Sequence, residues 1–230
     1  MLYRNLHTHH TMSISKSAIS SERFDPGVDK IALMLQSFRL LKKPDNFRYA
    51  EPYVVGFSVS GNQRTEQPFE FVFQTYPNTR KGELKDFKGD GLRLYGPENP
   101  GEYLAFSILL MESDADVRET GRMIQEALDS KLLKDTLPAL VMANPTAAIA
   151  TQLLTEVTNI VSGIMSKNKD DELLRMSGTL FQNVIGTSYL PYRIKENFKD
   201  QNHKAEIEVR VEALAGADRH KKHSVSVDIS

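Results

Sequence analysis

The chain has 230 residues, 40% hydrophobic and 26% charged, with Lys+Arg 29 against Asp+Glu 30. That length buries a sizeable core and the mix is that of a soluble globular protein, while the balanced charge argues against a dedicated nucleic-acid binder, whose affinity rests on surplus cations. The absence of cysteine excludes disulfides, thiolate zinc sites, iron–sulfur clusters and cysteine nucleophiles.

No segment carries the apolar core of a signal peptide or of a membrane-spanning helix; the longest apolar stretches are broken by Gln152, Glu156 and Asn159. The expected location is the cytoplasm, or outside the cell by a route without a cleaved signal. Residues 1–27 read as a flexible N-terminal arm ending in the turn-prone FDPG. Residues 29–42 read as a strand, with Ile31, Leu33 and Leu35 on one parity, although their length also allows a helix. After the polar loop 43–52, YVVGFSVSG (53–61) puts Val55, Phe57 and Val59 on one face of a half-buried strand. FEFVFQTYP (69–77) is a further strand, with Phe69, Phe71 and Phe73 aligned. The charged, glycine-rich segment 78–91 ends in DFKGDG, which reads as a surface hairpin turn with Gly91 at positive φ. GLRLYG (91–96) is a short strand, and YLAFSILLM (103–111) is too apolar to be two-faced, so it belongs at a sheet centre.

The pattern then changes period. Val117, Met123, Ile124, Ala127 and Leu128 fall at helical spacing within 114–129. Asn144 is placed to cap a second helix with Pro145 at its first position, followed by a stripe of Ala150, Leu153, Leu154, Val157, Ile160, Val161 and Ile164. That stripe packs on the protein's own core or presents a partner-binding face. Its polar side lacks the basic residues that anionic membranes select. SKNKDDE (166–172) reads as a charged turn, and strands resume at 178–189 and 203–214. The tail 215–230 is polar, although HSVSVDIS alternates like an edge strand. The order of elements predicts a single mainly β domain over 28–214: an antiparallel β-sandwich with a two-helix hairpin inserted at 114–165.

Motifs for chemistry are sparse. GFSVSG departs from the nucleophile-elbow pattern at Ser60, and neither a P-loop nor G-x-G-x-x-G occurs, so no catalytic residue is assigned. His7, His9 and His10 in the arm, and His203, His220 and His223 near the C-terminus, read as exposed or as imidazoles able to bind a transition metal.

Two stretches are similar to a known family. Glu51-Pro52-Tyr53-Val54 opens a strand after an acid-bearing loop, and FSILLM runs into Glu112-Ser113-Asp114-Ala115-Asp116, with Gly121 beyond. Over roughly residues 29–121 this order resembles the C2 domain, a phospholipid-binding β-sandwich. The resemblance implies a non-enzymatic binding module, with a protein or membrane-surface ligand and calcium as the cofactor. Calcium takes six to eight oxygens. Asp114 and Asp116, with Glu112, Glu51 and Asp45 from the neighbouring loop, can supply part of that shell. The same acids also suit helix capping, with Ser113 or Asp114 at the N-cap and Asp116 in the first turn. The alternative function is a structural subunit of a secretion or phage-type assembly, self-associating and laced together by its arms.

Overall fold

The computed structural model describes residues 24–42, 50–62, 69–87, 91–113, 117–128, 146–167, 169–183 and 190–214, together with Ala139 and Ala143. The strands among them are β1 (Lys30–Leu40), β2 (Pro52–Ser60), β3 (Phe69–Thr75), β4 (Leu84–Asp86), β5 (Leu92–Glu98), β6 (Tyr103–Glu112), β7 (Asp171–Phe181), β8 (Asn197–Gln201) and β9 (Ala205–Leu214). Helices α1 (Val117–Leu128) and α2 (Ala147–Lys167) lie between β6 and β7. One antiparallel sheet runs β4-β1-β9-β8, with β5 also paired to β1; the other runs β3-β2-β6-β7.

The two parities of each strand explain the layering. Ile31, Leu33 and Leu35 of β1 and Ile207, Val209 and Val211 of β9 meet Val54, Leu104, Phe106, Ile108 and Leu110 of the second sheet in a core between the sheets. The opposite parity of the second sheet (Tyr53, Val55, Phe57 and Val59, with Ala105, Leu109 and Met111) packs on Ile124 of α1 and on Leu153, Leu154, Val157, Val161 and Met165 of α2. The molecule is therefore a β-sandwich with a helical layer on one outer face. Every residue of β2 and β6 is buried because both faces are covered. The expected sandwich and its helical insertion are both present, and no described helix is long and apolar enough to cross a membrane.

Hydroxyls sit inside the helix–sheet contact. Thr158 Oγ1 donates to Ser107 Oγ at 3.0 Å, Ser107 and Ser177 share a 2.9 Å bond, and Thr151 and Thr179 share one of 3.0 Å. Ser107 and Thr158, both buried, thus satisfy each other, while the Thr151–Thr179 bond is exposed.

Several boundaries differ from the sequence reading. The strand expected at 178–189 overlaps β7 at Asp171–Phe181, with residues 184–189 outside the described residues, and the end of SKNKDDE is ladder rather than turn: Asp171 and Glu172 pair with Glu112 and Met111. The cap contact of α2 comes from Thr146, whose Oγ1 accepts from Ile149 N at 3.3 Å, while Asn144 and Pro145 lie outside the described residues. Gly91 does have φ +78°, but it turns no hairpin. Strands β4 and β5 are collinear, both lying along one side of β1 at Ser37–Arg39 and Ile31–Leu35. A Cβ on Gly91 would stand 2.6 Å from the Leu35 carbonyl. Phe24–Gly27, grouped by sequence with the arm, is tied down. The Pro26 carbonyl accepts from Asn99 Nδ2 and Gln182 Nε2, and the ring of Phe24 meets Tyr192 edge-on.

Candidate functional site

The expected site falls at the end of the second sheet where β2 begins, β6 ends and β7 begins. Pro52 is the register partner of Glu112, and Ser113 N donates to the Glu51 carbonyl at 3.3 Å. Proline suits the first position of a strand because its missing N–H costs no ladder bond. The Glu51-Pro52-Tyr53-Val54 stretch and the end of FSILLM, far apart in sequence, are therefore neighbours.

Tyr53 carries the same parity as Val55 and Phe57, so its ring enters the helix-side core, where it is 0% exposed. Its hydroxyl donates to Asp170 Oδ2 at 2.7 Å, and Ser113 Oγ lies 3.4 Å from Asp170 Oδ1. Asp170 is put there by the end of α2. Lys169 adopts φ +66°, and Asp170 N donates to the Met165 carbonyl at 3.0 Å. This left-handed closure turns the chain out of the helix and into β7. Asp170 and Glu112 are each only 4% exposed. Burial first, then the hydrogen bond to Asp170 and the charges of Asp170 and Glu112, push the Tyr53 phenol far above its ordinary range. Tyr53 therefore stays protonated and acts as a permanent donor to the carboxylate.

Beside this cluster, Glu172 accepts from Arg175 Nη2 at 2.7 Å and from Ser162 Oγ at 2.9 Å. Burial raises the Glu172 carboxyl, but these bonds and the charges of Arg175 and Lys204 outweigh it and hold the group below its usual value.

Of the predicted acids, Glu112 is buried in the cluster, and Glu51 is exposed at its rim and contributes its carbonyl to Ser113. Asp45, Asp114 and Asp116 lie outside the described residues. Among the described residues no three acidic or histidine side chains are grouped as a metal site. His203 is exposed, and the other five histidines lie outside the described residues. Ser58 is buried in the inter-sheet core, 3.5 Å from the Leu94 carbonyl. Sequence reasoning missed Asp170 and the role of Tyr53. The one available signal was parity, which aligns Tyr53 with Val55 and Phe57 and so predicts burial of a phenol that then needs a partner.

No protein-family model matches this chain, and no curated protein matches it in sequence.

Proposed function

We propose that this protein is a non-enzymatic binding or assembly module of C2-like type, with its recognition end where β2 begins and β6 finishes. One observation carries the reading: the two motifs that resemble the C2 family are ladder neighbours, Pro52 opposite Glu112 and Ser113 bonded to Glu51. The chain segments bearing Asp45 and Asp114–Asp116 attach at that same end, through Ala50 and Ser113. Carboxylates brought close together repel one another, and a divalent ion relieves that repulsion. Calcium then serves as the link to a ligand, either another protein or an anionic membrane surface.

The test is a calcium titration by calorimetry and thermal unfolding. Calcium raises the melting temperature of the parent by mass action, and an Asp114→Asn, Asp116→Asn double variant loses that rise. Absence of heat and of any thermal shift at millimolar calcium removes calcium from the proposal and leaves the acids as helix caps. Co-sedimentation with phosphatidylserine vesicles, with and without calcium, separates a membrane ligand from a protein one. The alternative, a structural subunit of a secretion or phage-type assembly, draws support from the β3 edge, which among the described residues pairs only with β2.

A further inference from the structure

The four sheet edges are unequal. Strand β8 has five residues and carries Lys199 and Asp200; the edge beside β1 is split between β4, of three residues, and β5, which carries Arg93, Pro97 and Glu98. The start of the β7 edge receives Asn202 Nδ2 on the Leu173 carbonyl at 2.7 Å and Lys204 Nζ on the Glu172 carbonyl at 2.8 Å. Short strands, charges and side-chain caps of this kind blunt an edge against pairing. Strand β3 is less protected, with Glu70 as its only charge. It runs seven residues, Phe-Glu-Phe-Val-Phe-Gln-Thr, without proline or interruption, and among the described residues pairs only with β2.

Its register shows which backbone groups are left over. Tyr76 N donates to the Pro52 carbonyl, which makes Pro52 and Tyr76 a hydrogen-bonded position, and antiparallel ladders alternate from there. Glu70, Val72 and Gln74 therefore bond to β2, while Phe69, Phe71, Phe73 and Thr75 turn their N–H and C=O groups outward. Among the described residues, only Gln74 Nε2 reaches any of these groups, at 3.1 Å from the Thr75 carbonyl.

We infer that the β3 edge is a self-association surface whose occupant is β3 of a second copy, paired antiparallel about Val72 to make one continuous eight-stranded sheet. The sequence is self-complementary in that register. Phe71 faces the second copy's Phe73, and Phe69 faces its Thr75, so all four outward-facing residues find ladder partners. On the other face Val72 meets itself, and Glu70, the strand's only charge, meets Gln74 rather than another acid. Aromatic pairs and uncharged partners opposite an acid are the favourable cross-strand combinations. Strand β8 paired the same way would set Lys199 against Lys199.

The chain contains no cysteine, so a single introduced thiol reports the register. Val72 occupies a non-hydrogen-bonded position on the two-fold axis, with Cα atoms about 4.5 Å apart, inside the disulfide range of roughly 4.4–6.8 Å. Mild oxidation of full-length Val72→Cys is expected to give a covalent dimer, and Gln74→Cys, which faces residue 70, is expected to give none. Gln74 is exposed, so substitutions there leave the fold intact and report association alone. Gln74→Lys sets a cation opposite Glu70 at two symmetric places and tightens the dimer roughly fivefold in sedimentation analysis, while Gln74→Glu weakens it about as much. A chain that stays monomeric at high concentration, a Gln74→Cys variant that cross-links as well as Val72→Cys, or Lys and Glu variants that shift association in the same direction would each overturn the inference.

Discussion

Replacing Tyr53 by phenylalanine removes one oxygen and keeps the ring, so no cavity opens and the packing against Phe73, at a centroid distance of 5.5 Å, survives. What is lost is the 2.7 Å bond to a carboxylate that is 4% exposed. Hydrogen bonds to charged groups contribute about 1.5–3 kcal/mol, and a buried acceptor that loses one of its donors bears part of its desolvation cost. We therefore expect Tyr53→Phe to lose about 2 kcal/mol at neutral pH, a fall of roughly 4–8 °C in melting temperature for a chain of this size. The sign reverses in alkali. The folded phenol is held protonated by burial first and then by Asp170 and Glu112, while an unfolded tyrosine ionises near pH 10. Above about pH 10 the unfolded state binds fewer protons, so stability falls with pH at up to about 1.4 kcal/mol per unit for this group. The phenylalanine variant escapes that slope. Its deficit of about 2 kcal/mol should close roughly 1.5 pH units above the phenol's ordinary value. Urea unfolding of both proteins between pH 7 and 11.5 measures the two curves. A variant within about 0.5 kcal/mol of the parent at pH 7, or a gap that widens in alkali, refutes the reasoning.

Two further outcomes follow from local geometry. Gly91→Ala places a methyl 2.6 Å from the Leu35 carbonyl at a φ of +78°, so it should destabilise by about 1–3 kcal/mol, and a chemical-denaturation midpoint equal to the parent's would show that the backbone at Gly91 relaxes freely. Glu172 is raised by burial but held below its ordinary value by Arg175, Ser162 and Lys204; its contribution is present above the unfolded value, about 4.3, and is lost as pH falls through the lower folded one. Glu172→Gln should therefore flatten the acid limb of the stability curve between roughly pH 5 and 2, and an unchanged limb would assign acid unfolding to other carboxylates.

The sheet's central strands were legible because burial on one or two faces leaves a period in the sequence. Val55, Phe57 and Val59 alternate, Ile207, Val209 and Val211 alternate, and the unbroken apolar run of β6 reflects cover on both sides. The α2 stripe was readable for the same reason. The short edge strands β4 and β8 leave no such trace. Strand β4 pairs over three residues, and in Asn-Phe-Lys-Asp-Gln of β8 only Phe198 and Asp200 are even half-buried. The start of β7 looked like a turn because Asp171 and Glu172 are charged, yet the ladder with β6 and the ion pair with Arg175 hold them in a strand. At the site, Glu51 and Glu112 were identified from local motifs. Asp170 was not, because its partner Tyr53 lies 117 positions away and no local period encodes that meeting.

The position of the helices bears on how such a fold is modified. Strands β6 and β7 are immediate neighbours, and Glu112 stands opposite Asp171 across the ladder. Topologically, everything from Ser113 to Asp170 is the connection of a β-hairpin, grown until it folds back over the sheet it leaves. Lengthening a connection between fixed ends costs only the logarithm of its length. The strand order would survive a graft of a different helical cap at these two residues, provided the replacement brought apolar side chains to cover Tyr53, Val55 and Phe57. The sheet sets the strand order, and the layer above it is the part open to exchange.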